Sequence, residues 1–274
     1  MRRWGLTALM VLTAAAPGEA GWVIDQVSRT AGGAETTQQV LVQANRMKTA
    51  VLVDGKPASA VVLDVEGRTL TQIDYQGRHY FTSTVEEFRQ ALAGAQQTAG
   101  ERMEEALRSL PPERRRMIEE MMRRQGVQAG SPAPAAPCPE PRALEVRPTA
   151  ERETIAGYPA RRYDVLADGE PRSQVWVAAG IAAWRELDRD KLQAFAEELS
   201  RFAACQPGRV PGGVLGGDDA WKLMGEGYPA RVVRARGGST EVVKAQERAL
   251  AAAEFEPPAG FARRSLGDLG SRRR

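Results

Sequence analysis

Short runs of alternating apolar and polar residues, separated by glycine-containing turns, constrain this fold more than any other feature. They fill residues 21–84. Asp-Gly and similar pairs permit the positive φ that tight hairpins require. Alternation such as Val61, Leu63 and Val65 places one face of a strand on a core. The sequence therefore predicts a β-meander over 21–84. The turn pairs are Asp54-Gly55, Glu66-Gly67 and Gln76-Gly77.

A second β region occupies residues 142–264. Its runs ALEVRPT and ETIAGYPARRYDVLADGEPRSQVWVA predict three strands, the last two joined by a hairpin at Asp168-Gly169. Apolar residues with helical period predict a helix from Asp188 to Cys205. The string GYPAR occurs at Gly157–Arg161 and again at Gly227–Arg231, each time before a β run. Two copies are too few for a repeat architecture and indicate one local solution used twice in a sheet.

A helical insert over residues 84–125 separates the two β regions. Thr84 and Glu87 have the spacing of a capping box, and an apolar stripe follows. Pro111-Pro112 ends one helix and starts another, because proline suits only the first turn of a helix. The second helix is rich in methionine and arginine. Residues 126–141, rich in proline and alanine, form a linker by composition.

The first residues have the features of an export signal. Two arginines precede an apolar run, and small residues stand before Gly21, so we expect a signal peptide over 1–20 and a periplasmic or secreted mature protein. No cysteine follows the apolar run, which argues against a lipoprotein anchor, and no later run is long enough to span a membrane. We expect one domain over 21–264 and a basic disordered tail over 265–274.

The chain has two cysteines, Cys138 in the linker and Cys205 at the end of the predicted helix. In an oxidising compartment an even, sparse cysteine count predicts one disulfide between them, which would tie the linker to the helix. The alternative is two unpaired thiols.

Few residues suggest catalysis. The single histidine, His79, lies in a predicted strand without a nucleophile motif, and two cysteines with one histidine do not form a zinc site. The formal net charge is only +3, and no nucleic-acid-binding motif is present. The sequence therefore predicts a protein that is not an enzyme and has no cofactor, no metal and no nucleic-acid partner. An enzyme that uses His79 remains a minority hypothesis.

Three strings suggest a family: ETIAGYPARRYDVLADGEPRSQVWVA, LPPERRRMIEEMM and FEPPAGF. They resemble a family of exported bacterial proteins with a domain of unknown function. Its members look like the LolA/LppX group of periplasmic lipoprotein carriers and lipid-binding lipoproteins. The resemblance implies an α+β fold, in which a strongly curved antiparallel half-barrel has helices over its concave face. It also implies that acyl chains bind between the sheet and the helices.

Two functions stay open. The first is the binding or carriage of a lipid or other apolar ligand beneath a methionine-rich helical cover. The second is an envelope structural or protein-interaction module with a packed core and no ligand. The methionine face fits either function, because methionine packs cores and also adapts to varied apolar partners. The predicted ligand-binding residues are Phe88, Leu92, Met103, Leu107, Met117, Ile118, Met121 and Met122.

Overall fold

The computed structural model describes residues 20–88, 90–91, 94, 105, 107–124, 144–205 and 220–265. Within these stretches the side chains of 119, 121–124, 199–205 and 220–221 are not described. The predictions for the signal peptide, the 126–141 linker, Leu92, Met103, Cys138 and the tail beyond 265 lie outside the described residues.

The described stretches contain twelve strands and two α-helices with both ends described, and residues 85–88, 90–91, 94, 105 and 107–109 are also α-helical. The strands are β1 (Ala20–Arg29), β2 (Glu35–Gln43), β3 (Arg46–Val53), β4 (Lys56–Asp64), β5 (Thr69–Asp74), β6 (His79–Thr84), β7 (Leu144–Ile155), β8 (Tyr158–Ala167), β9 (Glu170–Ala178), β10 (Tyr228–Arg234), β11 (Ser239–Ala249) and β12 (Ala262–Arg263). The helices are α1 (Pro112–Arg124) and α2 (Arg189–Cys205). Short 3-10 helices occupy Ala183–Glu186, Ala220–Leu223 and Ala252–Phe255.

All twelve strands belong to one open sheet, in the order β12-β6-β5-β4-β3-β2-β1-β11-β10-β9-β8-β7. The first meander, β1–β6, and the second, β7–β11, meet where β1 pairs antiparallel with β11. Every neighbouring pair is antiparallel except β12 and β6, which run parallel. The predicted large antiparallel sheet is confirmed. The predicted strand runs of both β regions also lie in it.

The hairpin turns confirm part of the sequence reasoning. Asp54-Gly55 and Asp168-Gly169 both have two positive φ angles, 51° and 72° in the first and 54° and 84° in the second, as predicted. Residues 36–47, TTQQVLVQANRM, are one run of the meander that the sequence predicts. The prediction of a single strand is wrong, because a turn at Ala44-Asn45, with φ of 46° and 62°, divides the run into β2 and β3. Asparagine tolerates this left-handed conformation better than most residues, so the Ala44-Asn45 pair is itself a sequence signal for a turn.

Two other predicted turns have a different geometry. Asp64 pairs with Thr69, so the loop between them has four residues. The residue with a positive φ in this loop is Arg68, at 49°, and not Gly67. The Gly67 N–H donates to Asp64 Oδ1 over 2.8 Å, and a Cβ on Gly67 would lie 3.3 Å from that carboxylate. A side chain at this position would therefore require the Asp64 carboxylate to shift by a few tenths of an ångström. The loop at Gly77 repeats the arrangement.

The helix signals are confirmed where they are described. Thr84 N–H donates to Glu87 Oε2 over 2.8 Å, and Glu87 N–H donates to Thr84 Oγ1 over 3.1 Å, which is the predicted capping box. Helix α1 begins at Pro112. Helix α2 begins one residue after Asp188, whose carboxylate accepts the Lys191 N–H over 3.1 Å.

The largest apolar cluster contains residues from both meanders. Alternate residues of each meander lie on opposite faces of the sheet. One face contributes to this main core and the other to a smaller apolar cluster. Trp22 and Ile24, for example, lie in the main core, and Val23 lies in a smaller cluster. Leu192 and Phe195 of α2, both fully buried, belong to the main core. A single core shared by both halves of an open twelve-stranded sheet fits a curved sheet.

Asn45 ties the β2–β3 turn to the segment that leads into α2. Its N–H donates to Glu186 O over 2.8 Å, and its Oδ1 accepts the Asp188 N–H over 2.5 Å. Its own carbonyl accepts the Val65 N–H over 2.9 Å. One turn residue therefore positions the segment that carries Trp184 onto the main core.

Candidate functional site

The two GYPAR copies build a group of aromatic rings on either side of β9. Tyr158 begins β8 and Tyr228 begins β10. The Tyr158 ring meets Trp22 edge to face with centroids 6.5 Å apart, and its hydroxyl donates to Ala245 O over 3.2 Å. The Tyr228 ring stacks on Trp184 at 5.2 Å. We call these four residues and Trp176, all within or packed against the main core, the aromatic cluster.

The glycines of the two copies allow this placement. Gly157 has a φ of 84° and completes the β7–β8 turn. Gly227 has a φ of 141°, and a Cβ there would lie 2.6 Å from Ala178 O. The backbone of β10 can therefore approach β9 only because this residue has no side chain. Burial raises the pKa of Tyr228 well above its usual range.

Trp176 lies between two arginines from the neighbouring strands. It pairs in register with Arg162 on β8 and with Arg231 on β10. The guanidinium carbons lie 5.8 Å and 5.4 Å from the centroid of the Trp176 ring, within the range of a cation–π contact. The arginines therefore hold the indole in one orientation.

Four carboxylates surround these arginines. Arg162 donates to Asp164 and to Glu151, and Arg231 donates to Glu241 and to Glu153. These hydrogen bonds raise the pKa of both guanidinium groups, that of Arg162 mainly through Asp164 and that of Arg231 mainly through Glu241. The network links β7, β8, β10 and β11 around Trp176.

Two indole N–H groups in the aromatic cluster are buried without an acceptor. Trp176 is 6% exposed and Trp184 is 9% exposed, and neither Nε1 has a hydrogen-bond partner in the described part of the chain. An unpaired buried donor costs about 1–3 kcal/mol, so such groups are rare and require an explanation. An acceptor on a bound ligand, or an ordered water, would satisfy them. Neither tryptophan is recognisable as a site residue in the sequence, because an indole in an apolar run has no distinguishing pattern.

The structure describes the side chains of four of the eight predicted ligand-binding residues. Phe88 is half-buried against the main core, and Leu107 is buried. Met117 is 72% exposed, and Ile118 is half-buried. Met121 and Met122 belong to α1, but their side chains are not described, and the same holds for Cys205 in α2. The shared ligand site and the Cys138–Cys205 disulfide stay predictions.

His79 is buried beside an acidic residue. It is 8% exposed, and its Nδ1 lies 3.5 Å from Asp74 Oδ2 without hydrogen-bond geometry. Ser59 pairs with Asp74, which pairs with His79 across β4, β5 and β6. A Ser-His-Asp triad requires the imidazole between hydroxyl and carboxylate, whereas here the carboxylate lies between. In this register Ser59 and His79 lie two strands apart. The prediction that the chain is not an enzyme stays a prediction.

Other kinds of site find no support in the described residues. These stretches contain no group of three or more His, Cys, Asp or Glu residues that could hold a metal ion. In the same stretches, no helix combines the length and the apolar character needed to cross a membrane. A surface cavity of about 350 Å³ lies where β8 and β10 end and β9 begins, and its lining includes Arg147, Pro171 and Arg234.

The fold and the aromatic cluster define a protein with an open, mostly antiparallel sheet and an apolar core shared by its two meanders. No protein-family model matches the chain, and no curated protein matches it. A solved structure of PNGF-II is similar with a TM-score of 0.40 and 9% identity, covering 92% of this chain and 33% of that one. MucB is similar with a TM-score of 0.37 and 13% identity, covering 89% of this chain and 59% of that one.

MucB in the complex structure of Pseudomonas aeruginosa MucA/MucB has the same TM-score and identity, with 89% and 57% of the two chains covered. The chain thus spans between a third and three fifths of the length of these solved chains. Similarity at this level assigns neither a family nor a function.

Proposed function

We propose that this chain is an exported periplasmic protein that binds an apolar ligand with a polar end at the aromatic cluster. In this proposal the sheet is a LolA-like half-barrel, helices cover its concave face, and the ligand lies between them. The observation that carries the proposal is the pair of buried indole donors, Trp176 and Trp184, without acceptors in the described residues.

The surroundings of the two donors suit a ligand with a long apolar part. The rings of Trp22, Tyr158 and Tyr228 and the α2 side chains Leu192 and Phe195 belong to or pack against the same core. Burial of a ligand chain among such groups contributes roughly 0.8 kcal/mol per CH₂, whereas one hydrogen bond contributes about 0.5–1.5 kcal/mol. The hydrocarbon would therefore supply most of the affinity, and the indole N–H groups would fix the position of the polar end.

The proposal is tested on protein expressed with its export signal and purified without detergent. Native mass spectrometry should show a bound apolar compound, which organic solvent should extract. Removal of the compound should leave a protein that binds acyl probes in a titration followed by tryptophan fluorescence. No extractable compound, together with no binding at probe concentrations up to about 1 mM, would contradict the proposal, since that limit corresponds to only about 4 kcal/mol of affinity.

Two variants connect the binding to the indole donors. Trp176→Phe and Trp184→Phe each remove an N–H and should weaken binding about three- to tenfold, the equivalent of one hydrogen bond. Trp22→Phe is the matched control, because it removes a similar ring from the same core and its nitrogen is not among the buried atoms without a partner. Equal losses in all three variants would show that ring volume, and not the N–H donor, matters.

A second function, an envelope interaction module without a ligand, is favoured by one observation. Met117, 72% exposed on α1, is the most exposed large apolar side chain in the described residues. If this function is correct, a Met117→Glu variant should lose a partner protein in pull-downs from envelope extracts. It should also leave acyl-probe binding unchanged.

A further inference from the structure

We infer that the polar end of the ligand is an uncharged hydrogen-bond acceptor, such as an ester or amide carbonyl, and not a carboxylate or phosphate. This inference rests on the proposed function and names the chemical class of ligand for the same site. It follows from the donors that the aromatic cluster offers and from the charges around Trp176.

Every guanidinium nitrogen beside Trp176 already donates to a carboxylate. Arg162 donates to Asp164 from Nε and Nη2 over 2.9 Å and 3.3 Å, and to Glu151 from Nη1 over 2.5 Å. Arg231 donates to Glu241 from Nε and Nη2 over 2.9 Å and 3.2 Å, and to Glu153 from Nη1 over 2.6 Å. All three nitrogens of each arginine already face carboxylates. Bidentate pairs of this kind are among the stronger hydrogen bonds of proteins, so the positive charge of both arginines is already paired with carboxylates.

The network also carries an excess of negative charge. Two guanidinium groups face four carboxylates, and the arginine side chains are only 23% and 21% exposed. The carboxylates of Glu151, Glu153, Asp164 and Glu241 are 35–48% exposed, so solvent weakens their field without removing it. An anionic group near Trp176 would meet repulsion from this excess and would have only neutral indole donors to bind.

An uncharged carbonyl meets neither difficulty. It accepts from Trp176 Nε1 or Trp184 Nε1, the two donors that the described residues leave unpaired, and its transfer from water costs much less than that of an ion. The arginines then act as positioning residues. Their guanidinium groups lie over the Trp176 ring and are themselves fixed by hydrogen bonds to the carboxylates.

The inference is tested with two probes that share one chain length, 1-monododecanoylglycerol and dodecanoate, below their micellar concentrations. Binding to the ligand-free full chain is measured by calorimetry at pH 7.5 and 0.15 M salt. We expect the monoacylglycerol to bind at least about tenfold more tightly, a ratio equal to about 1.4 kcal/mol. The preference should decrease at 0.5 M salt, because screening weakens the repulsion.

A charge variant provides the reciprocal test. Glu153→Gln with Glu241→Gln leaves Arg231 without its anionic partners. Dodecanoate should then bind at least about fivefold more tightly than to the original protein, with little change for the monoacylglycerol. The matched control is Glu145→Gln, since Glu145 is paired with Arg147 on the exposed edge strand and is not part of the network.

The outcomes separate the inference from the proposed function. Equal or tighter binding of dodecanoate to the original protein would overturn the inference and leave the proposed function intact. Binding of neither probe would overturn both. If the double variant does not fold, as judged by circular dichroism, the comparison of the two probes on the original protein still decides the inference.

Discussion

Substitutions in the Ala44-Asn45 turn test how this hairpin holds the segment that carries Trp184. Asn45→Ala removes the acceptor of the Asp188 N–H and places a Cβ without a polar group at a φ of 62°. Loss of the hydrogen bond costs about 1 kcal/mol, and the left-handed conformation costs alanine about 1–2 kcal/mol. We expect a loss of about 2.5 kcal/mol in the free energy of unfolding.

Two further variants separate these contributions. Asn45→Gly loses the hydrogen bond but tolerates the backbone conformation, so it should lose only about 1.5 kcal/mol, including the entropy that glycine adds to the unfolded chain. Ala44→Gly loses no side-chain bond and relieves a φ of 46°, so it should stabilise the protein by about 0.5 kcal/mol.

Urea unfolding, followed by tryptophan fluorescence and circular dichroism, measures all three free energies. An Asn45→Gly variant as stable as the original protein would refute the role of the Asp188 hydrogen bond. A destabilised Ala44→Gly variant would refute the backbone argument. Acyl-probe binding by Asn45→Ala should fall with stability, because the segment that carries Trp184 loses its attachment.

Two other substitutions have clear expected results. Gly227→Ala should cost about 3 kcal/mol or more, since it combines backbone strain with a clash against Ala178 O, and thermal unfolding should show a decrease in Tm of several degrees. Arg248 holds the pKa of Glu254 below its usual range. The pair therefore stabilises the fold at pH values above the pKa that Glu254 has in the unfolded chain. This stabilisation is lost as the pH falls through the lower pKa of Glu254 in the folded chain. Glu254→Gln should therefore cost up to about 1 kcal/mol in the free energy of unfolding at pH 7 and less at pH 2.5, as measured by urea unfolding. An equal cost at both values of pH would contradict the ionic origin.

Local patterns were sufficient to predict most of the sheet. The Asp-Gly turns at 54–55 and 168–169, the capping box at Thr84 and the period of α2 all depend on residues close together in sequence. The open antiparallel sheet follows from many short runs with turns between them. Strand β12 was missed because two residues that pair in parallel with β6 have no alternation to detect.

The candidate site was not predicted, because it depends on contacts between distant residues. Trp22 and Tyr158 meet across 136 positions of sequence only because β1 pairs with β11, a strand of the second meander. A buried indole without an acceptor cannot be recognised in a sequence at all. The methionine pattern indicated an apolar helix face. Whether such a face packs on a core or lies in solvent depends on tertiary contacts, and Met117 is exposed.

The two GYPAR copies show how one short string can give two different results. In the first copy β8 is regular, so Tyr158 and Arg162, four positions apart, lie on one face. In the second copy a bulge between Pro229 and Arg231 brings Arg231, three positions after Tyr228, opposite Trp176. Because residues pair one to one along a regular strand, a β10 without this bulge would place Ala230 opposite Trp176 instead. The bulge therefore completes the pair of arginines around Trp176, and with it the network of ion pairs on which the proposed selectivity for an uncharged acceptor rests.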